Sequence, residues 1–112
     1  MIYNAYLRGL RRKWALSQQD LAQLLDVTQS RISRYEQEEE TPTLAVVYGL
    51  QVIFDHSPRS LFERQYLAVQ DAVMRRAADL DRTLRNKTDY ASGRKRQLLA
   101  GMVARATKPD AA

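Results

Sequence analysis

The chain has no cysteine, a single histidine, four glycines and three prolines among its 112 residues. Without thiols there is no disulfide, no zinc–thiolate site and no cysteine nucleophile, and the absence suits a reducing compartment. The lone His56 sits in "DHSP", a turn-like stretch, and has no companions at metal-ligand or catalytic spacing. Phosphate-cradling glycine loops, dinucleotide fingerprints and Ser/His/Asp patterns are missing as well. The expectation is therefore no enzyme, no cofactor and no metal. Long apolar runs are also lacking. The most apolar stretch, "LAVVYGLQVIF" (Leu44 to Phe54), reaches only about half the roughly 20 residues that span a bilayer. "MIYNAYLRGLRRKW" lacks the apolar segment of a secretory signal. These absences predict a soluble, cytoplasmic protein with no membrane partner.

What is present begins with charge. The net charge is +5 and the isoelectric point about 9.8. Residues 1–62 carry seven basic and seven acidic side chains, and residues 63–112 carry eleven and six. The whole excess lies in the second part. A basic balance points to nucleic acid as partner, although basic patches also serve plain solvation.

Apolar residues recur at helical spacing almost throughout. Tyr3, Tyr6, Leu7 and Leu10 predict a first helix over roughly 2–13. Ser17, with Asp20 three residues on, is close to a capping box for a second helix lined by Leu21, Leu24 and Leu25. After a turn at Asp26 and Val27, Thr28 caps a third helix running to about Gln37, with Ile32 and Tyr35 inward. "VVYGLQVIF" by itself suits strand or helix. The Thr43 cap and helical surroundings favour helix, with Gly49 costing about 1 kcal/mol. Ser57 and Pro58 open a fifth helix. Phe62, Tyr66, Val69, Val73, Ala77, Leu80 and Leu84 then step by three or four, without glycine or proline, and predict one helix of about 28 residues. "RNKT" reads as a turn, and Thr88 or Asp89 can cap a sixth helix carrying Leu98, Leu99, Met102 and Val103. A helix some 40 Å long needs a second surface for its apolar stripe, either the sixth helix or another copy of the chain.

Two helices joined by a very short turn give helix-turn-helix geometry, in which the second helix enters the DNA major groove. "SQQDLAQLLDVTQSRISRYE" (Ser17 to Glu36) resembles that element in the Xre/Cro family of bacterial and phage regulators. Ala22, Val27, Ile32 and Tyr35 fall on its packing positions, and "TPTLAVVYGLQVIFDHSPRSLF" resembles its fourth and fifth helices. Asp26 departs from the glycine usual in the turn, and Asp tolerates the left-handed region better than most residues. The resemblance covers about residues 5–63. It implies a five-helix DNA-binding domain over 1–63 in an all-α chain. The apolar periodicity beyond it predicts a C-terminal helical extension over 64–106 used for dimerisation, and the last residues, 107–112, are expected to fray. The resemblance also implies a homodimeric repressor of a pseudo-palindromic operator, or else an antitoxin that binds a toxin and represses its own operon.

The outward residues suit that expectation chemically. Gln bonds adenine and Arg bonds guanine in bidentate fashion, and hydroxyl side chains touch thymine methyls or phosphates. Thr28, Gln29, Ser30, Ser33 and Arg34 are the candidate base contacts. Ser17 and Gln18, at a helix N-terminus that favours anions, are phosphate candidates together with Arg31 and Arg11. The resemblance pairs Arg11 with Glu36 as a brace.

Glu38, Glu39 and Glu40 stand against this reading, in a loop where the family commonly carries glycine and basic residues. They can face solvent, hold down general affinity for DNA, or dock a basic protein partner. Arg94, Lys95 and Arg96 can solubilise a helix face, add phosphate contacts or join subunits.

Overall fold

The computed structural model describes residues 5–108. Tyr3 and the residues beyond Lys108 lie outside that range, so the start of the first helix and most of the tail do too. Seven α-helices and no strand make up the described chain. They fall into two compact units, Met1–Arg64 and Gln65–Ala112.

The first unit holds α1 (Ala5–Lys13), α2 (Gln18–Leu25), α3 (Gln29–Glu36), α4 (Leu44–Phe54) and α5 (Pro58–Leu61). Each helix after α1 starts with a side-chain cap. Ser17 and Asp20 form a complete capping box, Thr28 accepts from Arg31 N–H, Thr43 from Val46 N–H and Ser57 from Ser60 N–H. Eleven buried apolar residues close one core, with Leu7, Leu21, Ile32, Tyr35, Leu50 and Leu61 the most enclosed. His56 accompanies this core by bonding Tyr6, which ties α1 to the turn after α4.

Three local outcomes differ from the sequence expectation or refine it. Leu24 is 59% exposed and does not line the core. Leu21, Ala22 and Leu25 span the inward arc, and Leu24 lies roughly 100° from its centre at 100° per residue. Gly49 is a close-approach glycine: a β-carbon there would stand 2.5 Å from Leu25 Cδ2. The long fifth helix is interrupted. Phe62, at φ −133° and ψ 50°, separates α5 from α6 (Glu63–Leu84). Leu61 and Phe62, on either side of that break, are both buried in the first core.

The α2–α3 turn is closed by Asp26 at φ 54° and ψ 49°. Asp26 N–H bonds Gln23 O and Val27 N–H bonds Ala22 O at 3.0 Å, which is a Schellman closure with aspartate where glycine is usual.

The second unit contains the rest of α6 and α7 (Tyr90–Thr107). Asp89 caps α7, accepting from the Ser92 hydroxyl at 2.7 Å and the Ser92 N–H at 3.1 Å, and both bonds hold its carboxyl below the usual range. Ala77, Leu84 and Leu99 are buried together, with Met102 against them. Arg96 Nε reaches Asp81 Oδ1 at 3.0 Å across the two helices, and that bond lowers the Asp81 pKa. The rest of the expected stripe is open: Tyr66, Val69, Val73 and Leu80 on α6 and Leu98 and Val103 on α7 are exposed. No described helix is long and apolar enough to cross a membrane.

Candidate nucleic-acid interface

The short turn at Asp26 packs α3 against α2 and leaves the polar side of α3 outward. Ile32, Tyr35 and Glu36 point in, while Gln29, Ser30 and Arg31 are exposed and Ser33 and Arg34 half-exposed. Gln18, Gln29, Ser30, Ser33 and Arg34 converge on one open recess, and Glu39 is its sixth wall. Residues from the start of α2 and from α3, separated by up to sixteen positions, thus share one polar surface.

Behind the recess lies a buried ion pair. Arg11 Nε donates to Glu36 Oε2 at 2.7 Å and Nη2 to Oε1 at 3.0 Å. Arg11 Nη1 donates to the Leu16 carbonyl at 2.9 Å. All three guanidinium nitrogens of Arg11 therefore bond within the protein, and the side chain is buried. That geometry makes Arg11 a brace between α1 and α3 and leaves it unsuited to touching a phosphate, the other role expected of it. Gln18 Nε2 adds a 3.3 Å bond to Glu36 Oε1, so the brace also reaches the start of α2.

The hydroxyl candidates are partly engaged. Ser17 Oγ accepts from Asp20 N–H at 3.0 Å and keeps its own proton for an acceptor such as phosphate. The return bond, from Ser17 N–H to Asp20, is the main reason the Asp20 carboxyl sits below its usual range. Thr28 Oγ1 caps Arg31 N–H and lies 3.1 Å from Ser30 Oγ, which leaves the Thr28 methyl as its apolar contact surface.

The three acids of the loop part company. Glu38 takes a left-handed conformation, φ 57°, and its carboxylate lies 3.9 Å from Arg64. Glu39 is exposed at the recess. Glu40 turns back on α3, where Arg34 Nε donates to Oε2 at 2.7 Å and Arg31 Nε lies 3.4 Å from Oε1. Two of the three carboxylates thus face arginines of their own unit, which leaves Glu39 as the main open charge for an outside basic partner. Sequence reasoning missed this, because a six-residue separation is not a helical neighbour. No local signal marked the reversal, because Gln37 to Glu40 contain no glycine, asparagine or aspartate, the residues that favour positive φ.

On α7, Arg94 Nη1 bonds Gln97 at 2.9 Å and Arg96 bonds Asp81. Arg96 is thereby a tie between helices, while Arg94 and Lys95 stay exposed. Among the described residues no cluster of three or more His, Asp or Glu could hold a metal.

The helix-turn-helix family model matches residues 3–59 of the chain. No curated protein and no solved structure matches it significantly. With the model covering half of the chain, and with α2, the Asp26 turn and α3 in the geometry described, the chain belongs to the Xre/Cro-like helix-turn-helix family of DNA-binding transcription regulators.

Proposed function

We propose that the chain is a homodimeric, sequence-specific repressor that inserts α3 into the major groove of a pseudo-palindromic operator. The observation that carries this is the recess itself. Gln29 and Arg34, side chains able to read adenine and guanine, share it with Gln18 at a helix N-terminus. In this reading Thr28, Gln29, Ser30, Ser33 and Arg34 face base edges. Ser17, Gln18 and Arg31 face phosphates, and Arg94 and Lys95 extend the phosphate contact. Occupancy of the operator is the repressing act.

The homodimer draws on the second unit. Residues 65–112 leave Tyr66, Val69, Val73, Leu80, Leu98 and Val103 exposed, and a second copy is the natural cover for a surface of this kind. In this reading residues 1–63 bind DNA and 64–106 dimerise. One helix-turn-helix reads a few base pairs, so two copies about one helical turn apart supply useful affinity.

Selection of bound sequences from random DNA at a fixed salt concentration tests both halves. The expected result is two inverted half-sites about 10 base pairs apart, centre to centre. Failure to enrich any sequence would sink the reading, and enrichment of a single unrepeated half-site would remove the dimer.

A second reading, an autoregulating antitoxin, is favoured by one observation. Helix α4 exposes Leu44, Tyr48 and Val52 at four-residue steps, an apolar line on the DNA-binding unit. Stoichiometric co-purification with the product of a neighbouring reading frame, abolished by Tyr48→Glu, would favour it.

A further inference from the structure

The loop after α3 folds back onto the helix it leaves. Glu38 is left-handed, and Glu39 N–H donates to the Arg34 carbonyl at 2.9 Å. This reversal sets Glu40 beside Arg31 and Arg34, which are neighbours one turn apart on α3. The contacts share a feature. Arg34 meets Glu40 through Nε at 2.7 Å, and the closest approach of Arg31 to the same carboxylate, 3.4 Å, is also through Nε. Arg34 makes no other side-chain hydrogen bond among the described residues. Arg11 behaves differently, because its Nε and both terminal nitrogens are all engaged.

An arginine gripped only at Nε keeps its two terminal nitrogens as a planar fork. That donor pair matches O6 and N7 of guanine. The grip also restricts the side chain before binding, so less rotamer freedom is lost when DNA arrives. At the same time the carboxylate offsets part of the charge of two arginines. General affinity for DNA is almost wholly phosphate attraction, so it falls when a carboxylate sits on the contact face.

We propose that Glu40 is the specificity-determining positioning residue of this interface: it holds Arg34 as a guanine-reading fork and suppresses binding to random DNA. The inference rests on the reading of α3 as the groove-entering helix. It assigns to one residue of the acidic loop a role that neither solvation nor partner docking describes.

The test uses the full chain and four proteins: the natural sequence, Arg34→Ala, Glu40→Ala and Glu40→Gln. Each is melted to establish folding. Each is then used to select sequences from random DNA and titrated against a random duplex at one salt concentration. The natural protein should enrich a motif with a guanine that Arg34→Ala erases. Glu40→Ala should weaken preference for that same guanine about threefold to tenfold. It should also bind the random duplex about twofold or more tighter. Glu40→Gln keeps an acceptor for Nε, so it should recover most of the guanine preference while keeping the tighter random binding. A Glu40→Ala motif identical to the natural one overturns the inference and leaves the reading of α3 intact. So does equal tightening on operator and random DNA, or an equal loss on both from a destabilised fold. If the natural protein enriches nothing, or Arg34→Ala leaves the motif unchanged, the reading of α3 fails and the inference goes with it.

Discussion

In residues 1–64 eleven apolar side chains close one core, whereas in residues 65–112 three are buried and a longer row stays exposed. Both units are helical, and both carry apolar residues at steps of three and four. The difference lies in how many helices converge. Five short helices surround a common centre and each supplies one to three inward residues. Two long helices cover only part of one another's stripe. An amphipathic pattern therefore specifies a face that needs cover, and the number of neighbours decides whether the chain covers it alone.

The same contrast holds for ion pairs and backbone. Arg11–Glu36 in the first unit is buried, while Arg96–Asp81 in the second is partly exposed. Every described non-glycine residue with positive φ (Ala15, Asp26, Glu38 and Asp55) lies in the first unit. Strained backbone persists where surrounding packing determines it, and the well-packed unit is the one able to hold it.

The strongest way to sharpen this comparison is Glu36→Ala. It strands the Arg11 guanidinium in the core and should lower stability by about 3–5 kcal/mol, read by urea unfolding. Asp81→Ala removes the chemically similar contact of the second unit and should shift the transition far less. Equal shifts would mean that burial is not what separates the two pairs. Next comes the open face of α6. Val69→Glu with Val73→Glu should weaken self-association by about 1.5–3 kcal/mol per side chain if these faces are covered in a dimer. Sedimentation across a concentration series measures it, and unaltered association would move the interface elsewhere.

Smaller effects follow from the turn and the caps. Asp26→Gly relieves a left-handed aspartate and should raise stability by about 0.5–1 kcal/mol without changing DNA affinity, by thermal unfolding and titration. Acid should then act on both units through their capping carboxylates. Asp20 and Asp89 are held below the ordinary value of 3.8 by bonds from Ser17 and Ser92. A carboxylate with a lowered folded pKa adds stability above its unfolded value, and that stability is lost as pH falls through the folded one. Unfolding should therefore ease below about pH 4, and Asp20→Asn with Asp89→Asn should flatten that limb.

Much of the first unit was legible locally. The caps Ser17, Thr28, Thr43 and Ser57, the turn at Asp26 and the inward Ile32 and Tyr35 all follow from chemistry within a few residues. The break at Phe62 was not, because neither glycine nor proline marks it. The two apolar residues at it, Leu61 and Phe62, are both buried, and burial is set by the whole core rather than by neighbours in sequence. Exposed Leu24 belongs to the same class, since its leucine identity is silent about which arc of α2 meets α3 and α4. For the interface, the polar face of α3 could be read from spacing and the Arg11–Glu36 pair from the family resemblance, but the partners of Arg31, Arg34 and Arg96 could not.

The sequence alone determined the all-helical character, the capped turns and the identity of the groove-facing candidates, because capping and periodicity act over four residues or fewer. The family resemblance had paired Arg11 with Glu36, and only the tertiary structure decided that this is Arg11's one role and what Arg31, Arg34 and Arg96 do. Arg11, Arg31, Arg34 and Arg96 are the same side chain in the sequence. Burial against Glu36 makes Arg11 a brace, Asp81 makes Arg96 a tie between helices, and a reversed loop hands Arg31 and Arg34 to Glu40. Charge acts across space, and only the fold sets which charges are near.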